Sequence, residues 1–370
     1  MKYLFSGDIQ YIKGRKQKRG RWKKAIALFL ICLFIVFSIG SFIMIDDTFR
    51  AMFARADRPA FTYYQTYEDV SDDYKRTEVE FLSEEHLLKG YLYGPKKAEQ
   101  LVVISHGMGG GADSYLQEIL YFVDRGYKVF AFDNTGSYDS EGDGIGGLSQ
   151  SLIDLDAALN YIESDETLKK MPILLYGHSW GGYAVTAVLN YHHNIVAAVS
   201  VAGYNSPMEM MMDWCKEEMG LFAYIEYPYL WIYQKVLFGG ASNLYAVDGI
   251  NGSGIPVMLI HGTEDQTVAY DGPGIISHKE KITNPNVVYF SRSEKGQNGH
   301  SNLFRPIKSS QYLKEKKAEY QELSKKYGGK IPEDILKEWE MSIDKKKTSK
   351  LDEIVMRDIY EFYEEALASA

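Results

Sequence analysis

The chain is predicted to be an α/β protein: a mainly parallel sheet flanked by helices, with a helical cap insertion and an N-terminal transmembrane helix. Three observations point there. From residue 77 onward, short apolar runs alternate with helix-length segments. One such run, Pro172–Tyr176, enters a sharp turn, Gly177-His178-Ser179-Trp180-Gly181, and leaves it as a helix-like stretch to Leu189. Ahead of all this, Ala25–Ile45 is 21 residues without a charge.

Taken in order, residues 1–24 carry nine Lys/Arg against the single acid Asp8. The net charge of the chain is −9, so the remainder, with 32 basic and 49 acidic residues, stands at about −17. Such a body is not expected to bind nucleic acid. At 1.5 Å per residue, residues 25–45 span a hydrocarbon core of roughly 30 Å. The bilayer is therefore the partner expected for that segment. Positive charge on its N-terminal side places residues 1–24 in the cytoplasm and residues 46–370 outside it, in a single-pass membrane protein. A cleaved signal peptide is the rival reading. Its apolar region would be shorter, and Ala54-Arg55-Ala56, the one string resembling a cleavage site, lies nine residues past the span. The two cysteines, Cys32 in the span and Cys215 in the body, cannot form a disulfide framework.

Residues 46–76 lack clean periodicity and read as a juxtamembrane stalk before a domain over 77–370. Thr77–Leu82 and Leu88–Tyr93 are expected as paired strands. Strands follow at Leu101–Ser105, Tyr127–Phe132, Ile173–Tyr176, Ile195–Val201, Pro256–Ile260 and Asn286–Phe290. Helices are expected at Ala112–Arg125, Leu148–Ser164 and Gly181–Tyr191. The rhythm breaks over about 204–251, a Met- and aromatic-rich insertion expected to be helical, with Pro228 marking a break. Its methionines suit gap filling. As a cap over the site it would offer Trp214, Phe222, Tyr224 and Trp231 to an acyl or aromatic group. The charged extension over about 305–370 shows a helix at Gln311–Lys326 and a second opened by Pro332. A capping box at Ser349–Asp352 starts a third, whose apolar face, including Ile359 and Tyr363, should pack on the sheet. No chemistry is assigned to this extension.

Ser179 needs a base, and the base an orienting acid, each just beyond the carboxyl end of a strand. Asp265 follows the strand Pro256–Ile260, and His300 lies in the glycine-rich loop after the last strand. Glu264 is the rival acid. His278 precedes that strand and falls at the wrong end, while His192-His193, without acidic neighbours in sequence, reads as a surface pair. Backbone amides of Met108, in the turn His106-Gly107-Met108-Gly109, and of Trp180 are the candidate oxyanion donors. The glycine turn could instead cradle phosphate, but it lacks the Lys-Ser/Thr of a P-loop. Neither H-E-x-x-H nor another metal-ligand spacing occurs.

The order Ser179, Asp265, His300, with the G-x-S-x-G turn and His106-Gly107, resembles the α/β-hydrolase superfamily over about residues 76–304 and the last helix. In style the chain is similar to membrane-anchored bacterial hydrolases of the serine aminopeptidase and Bem46-like groups. Asp133–Gly142 resembles the loop many members write D-x-R-G-x-G-x-S-x-G, with Thr135 for the arginine and Tyr138 for the second glycine. Ala269 stands where proline is common after the acid. Ser179-Trp180-Gly181-Gly182-Tyr183 also resembles the prolyl oligopeptidase elbow. The resemblance implies an α/β-hydrolase fold in a bacterial cell membrane and a serine hydrolase that cleaves a carboxylic ester, with an amide or thioester as the alternative bond, in a small-molecule or lipid-like acyl substrate without a cofactor. A peptidase with the same triad and a catalytically silent binding module are the alternatives. Oligomeric state is not legible.

Overall fold

The computed structural model describes residues 4–370, with side chains from Arg21 on, so most of the basic segment assigned to the cytoplasm lies outside the described side chains. One sheet of eight strands organises the body, in the order β1-β2-β4-β3-β5-β6-β7-β8. The strands are β1 Arg76–Ser83, β2 His86–Tyr93, β3 Leu101–Ser105, β4 Lys128–Phe132, β5 Ile173–His178, β6 Ile195–Val201, β7 Val257–Gly262 and β8 Val287–Arg292. β1 and β2 form an antiparallel hairpin, and β2 meets β4 antiparallel. All other pairings are parallel. Central strands β3 and β5 are buried along their whole length, as a sheet covered on both faces requires.

The helices are α1 Leu4–Met52, α2 Leu116–Val123, α3 Gln150–Ser164, α4 Trp180–Ala187, α5 Pro207–Met219, α6 Ala223–Phe238, α7 Ala246–Ser253, α8 Ile307–Lys326, α9 Glu333–Met341, α10 Lys345–Ser349 and α11 Glu353–Ser369. Two apolar layers sandwich the sheet. One joins α3, α4 and α7 to residues of α5, α6 and the end of α1. The other joins α2 to α11. As expected, the last helix packs on the sheet, and the Tyr363 hydroxyl donates to the Leu175 carbonyl at 2.7 Å.

Several boundaries differ from expectation for local reasons. α6 runs through Pro228 without ending. A proline in the second turn removes only one helical hydrogen bond, and the break falls instead at Gly220, whose φ of +58 a side chain would resist. α11 is capped by Asp352, whose carboxylate accepts from the Ile354 and Val355 amides, while Ser349 ends α10. Residues 46–76 lie against the body. α1 continues to Met52, and Phe49 and Phe53 are buried. Arg55 donates to the carbonyls of Tyr138, Ser140 and Gly142 at 2.5–3.0 Å. Phe61 packs on Tyr320 and Trp339 of the C-terminal extension.

Candidate active site

Ser179 follows β5 and caps α4 at φ +56, ψ −114, a backbone conformation few L-residues adopt. Its amide donates to the Val201 carbonyl and its carbonyl accepts from Tyr183, which pins the turn from both sides. The flanking glycines are a steric necessity. A Cβ on Gly177 would lie 2.2 Å from the Gly181 carbonyl oxygen, and one on Gly181 would lie 2.0 Å from that of Ser105. The strand therefore hands the serine to the helix with its hydroxyl above the carboxyl edge of the sheet.

Loops after β7 and β8 bring two further side chains to that hydroxyl. His300 Nε2 is 2.8 Å from Ser179 Oγ, and His300 Nδ1 is 2.7 Å from Asp265 Oδ2. The other Asp265 oxygen accepts from the amides of Thr267 and Val268 at 2.8 and 2.9 Å. Burial pushes the Asp265 carboxyl up, but the histidines His261 and His300 and the Val268 amide outweigh it and hold the group well below the usual carboxylate range. Glu264, the rival acid, points to solvent. Across from the serine, Gly107, Met108, Gly109 and Gly110 line the same cavity. The Trp180 amide is the first of α4, where helix geometry leaves it without an intrahelical acceptor.

One participant was not legible as such in the sequence. His178 is the last residue of β5, directly before the serine, with Nε2 3.0 Å from the His300 carbonyl oxygen and Nδ1 2.7 Å from the Tyr115 hydroxyl. That hydroxyl accepts from the Gly107 amide at 3.0 Å. Burial, with the neighbouring His300 adding to it, lowers the His178 pKa to about 3, so its ring stays neutral. The tautomer follows: Nε2–H donates to His300 and Nδ1 accepts from Tyr115. A neutral bridge thus joins the glycine turn to the loop holding His300. His106 is likewise buried and neutral, its pKa lowered by burial to about 4. Its Nε2 accepts from the Asn134 amide at 2.9 Å, tying the turn after β3 to the turn after β4.

The walls of the cavity, about 260 Å³, differ from the expectation. Tyr64 comes from the segment read as a stalk, and Phe304 and Arg305 from the junction with the C-terminal extension. Arg305 stacks on Tyr64 at 4.5 Å. None of the cap candidates lines it. Trp214 sits in a groove against α1, Phe222 is 70% exposed, Tyr224 lies beside Lys216, and Trp231 faces outward. The reason is a competing apolar partner: α6 packs on α1, with Phe42 and Tyr229 edge to face at 5.4 Å.

Comparisons with known proteins agree with this architecture. Residues 96–247 match the family model described as serine aminopeptidase, S33. The quorum-quenching protein AidA of Acinetobacter baumannii (strain MDR-ZJ06) is 29% identical over 153 residues, 39% of this chain and 50% of that protein. The chain thus spans half the length of this curated relative. The esterase Pf2001 of Pyrococcus furiosus superposes with a TM-score of 0.50 at 18% identity, covering 74% of this chain and 98% of the esterase. A second crystal form of it gives 0.50 at 20% identity, over 73% and 98%. At this identity the likeness is one of fold.

Proposed function

We propose that this chain, which has the α/β-hydrolase fold and matches the serine aminopeptidase S33 model over residues 96–247, is a membrane-anchored serine hydrolase cleaving a carboxylic ester of a small-molecule or lipid-like acyl substrate. The observation that carries this reading is the unbroken relay Asp265–His300–Ser179, with steps of 2.7 and 2.8 Å, on a strained elbow. Ser179 Oγ attacks the acyl carbon while His300 Nε2 takes its proton. The carbonyl oxygen, now anionic, is held by the amides of Met108 and Trp180. His300 then passes the proton to the departing alkoxide. A water molecule, deprotonated by the same nitrogen, releases the acid and restores the serine. Asp265 holds the ring with Nδ1–H toward itself and balances the imidazolium charge.

Anchoring rests on α1, whose portion from Arg21 to Met52 is long and apolar enough to cross a membrane. The basic residues before it support a cytoplasmic N-terminus and an external body. Protease added to intact cells should then digest the body; protection would overturn this orientation.

A fluorophosphonate probe should label the protein covalently, and Ser179→Ala should abolish labelling. Equal labelling of both would remove Ser179 from the mechanism. No labelling of either would favour a silent binding module. The match to serine aminopeptidases keeps a second reading, peptide-bond cleavage by the same residues. Turnover of aminoacyl amides in preference to matched esters would select it.

A further inference from the structure

We propose that the α5–α6 hairpin is a membrane-dipping wedge, whose turn Met219–Ile225 enters the lipid acyl region of the leaflet from which α1 emerges. The proposal rests on the reading that residues 25–45 cross a bilayer. Given that reading, depth follows from contacts. Ser41 Oγ donates to Glu226 Oε1 at 3.2 Å, and Ser38 Oγ lies 3.0 Å from the Tyr229 hydroxyl. Ser41 and Ser38 are four and seven residues inside Ile45, the end of the apolar run. At 1.5 Å per residue, the first turns of α6 therefore sit about 6–10 Å below that end. This is the depth at which interfacial segments bury their apolar faces.

The surface of the hairpin agrees with the depth. Met219–Ile225 contains no charge, and its outward side chains are left bare: Leu221 is 83% exposed and Phe222 70%. Tyr224, Ile225, Ile232 and Val236 extend the exposed patch along α6. In water such a patch would be costly and prone to association. Charge resumes at the right places. Lys216, Glu217 and Glu218 stand just before the turn, and Asp46-Asp47 just after the span. Within the turn's own helix, Glu226 is buried against α1. Polar groups in lipid pair across helix interfaces in this way. A groove of about 440 Å³ between α1, α5 and α6, lined by Ile45, Phe49, Met211, Trp214 and Leu230 among others, lies in the same wedge.

The partner is therefore acyl chain, and the hairpin is held to the anchor rather than free to open as a lid. The test uses full-length protein with Cys32 and Cys215 replaced by alanine, in vesicles of phosphatidylcholine and phosphatidylglycerol. An environment-sensitive fluorophore is placed singly by Leu221→Cys, by Val36→Cys inside the span, or by Lys337→Cys on α9, and lipids bearing nitroxides at shallow and deep acyl positions are added. The fluorophore at 221 should shift to the blue and lose emission to the shallow nitroxide, and that at 36 to the deep one. At 337 neither effect should appear. If 221 behaves like 337 while 36 is quenched, the wedge is refuted and the anchor stands. If 36 is unquenched, anchor and wedge fall together. A thermal melt matching the parent's shows that each variant is folded.

Discussion

At Asp265 and His178 the same burial produces opposite charge states, because their neighbours differ. Asp265 is kept ionised by donors on both oxygens. Asp265→Asn would turn His300 toward the wrong tautomer, and kcat should fall by about 10³–10⁴ with the fold intact. His178 is kept neutral by burial and by the His300 ring beside it. Tyr115→Phe removes the hydroxyl that joins it to the Gly107 amide. Two buried groups would lose their partner, so stability should drop by about 1–3 kcal/mol in a denaturant titration. His193 shows how sequence neighbours mislead. Read as part of a surface pair, its side chain is 4% exposed and lies between Asp156 and Glu163, at 2.8 and 3.0 Å. Burial alone would lower its pKa, but the two carboxylates prevail and raise it above 6.5. A raised folded-state pKa means that this stabilisation is fully present below 6.5 and is lost as the pH climbs through the folded value. The melting midpoint of His193→Gln should fall furthest behind the parent in acid, and the gap should close toward alkaline pH. A gap independent of pH would refute the ion pairs.

Among elements, the elbow is the most constrained. Gly181→Ala would force a methyl to 2.0 Å from the Ser105 carbonyl oxygen, pushing α4 off β3. The expected cost is about 1–3 kcal/mol or more, with fluorophosphonate labelling lost at temperatures where the protein remains folded. The loop after β4 solves its problem differently. Tyr138, at the position where related loops carry glycine, adopts φ +42. Arg55, from the segment after α1, accepts the task of closing that loop by binding three of its carbonyls. Strands β3 to β7 were legible as apolar runs, because a strand covered on both faces has no alternative composition, whereas β1 and β8 are partly exposed. The cap was legible as helix but not in its direction. Its aromatic residues look the same whether they cover substrate or pack on another helix.

For the whole molecule, the long apolar helix α1 is part of the packed body. Phe49 meets Tyr233 at 5.1 Å, and Tyr64 reaches the cavity of Ser179. A protein lacking residues 1–45 would keep the relay but uncover Tyr229 and Glu226 of α6. It should form soluble aggregates on size-exclusion chromatography without detergent and run as a defined species with it. A defined species in plain buffer would show that α1 does not shield the cap.

The primary structure by itself determined the sheet, the anchor candidate and the order serine, acid, histidine, because each is written in local composition or in a turn that only glycine permits. Only the tertiary structure decided which side chains wall the cavity and which are left bare along α6. Those choices depend on competition among apolar surfaces far apart in the chain. α6 met α1 there, and left the mouth of Ser179 to Tyr64 and Arg305.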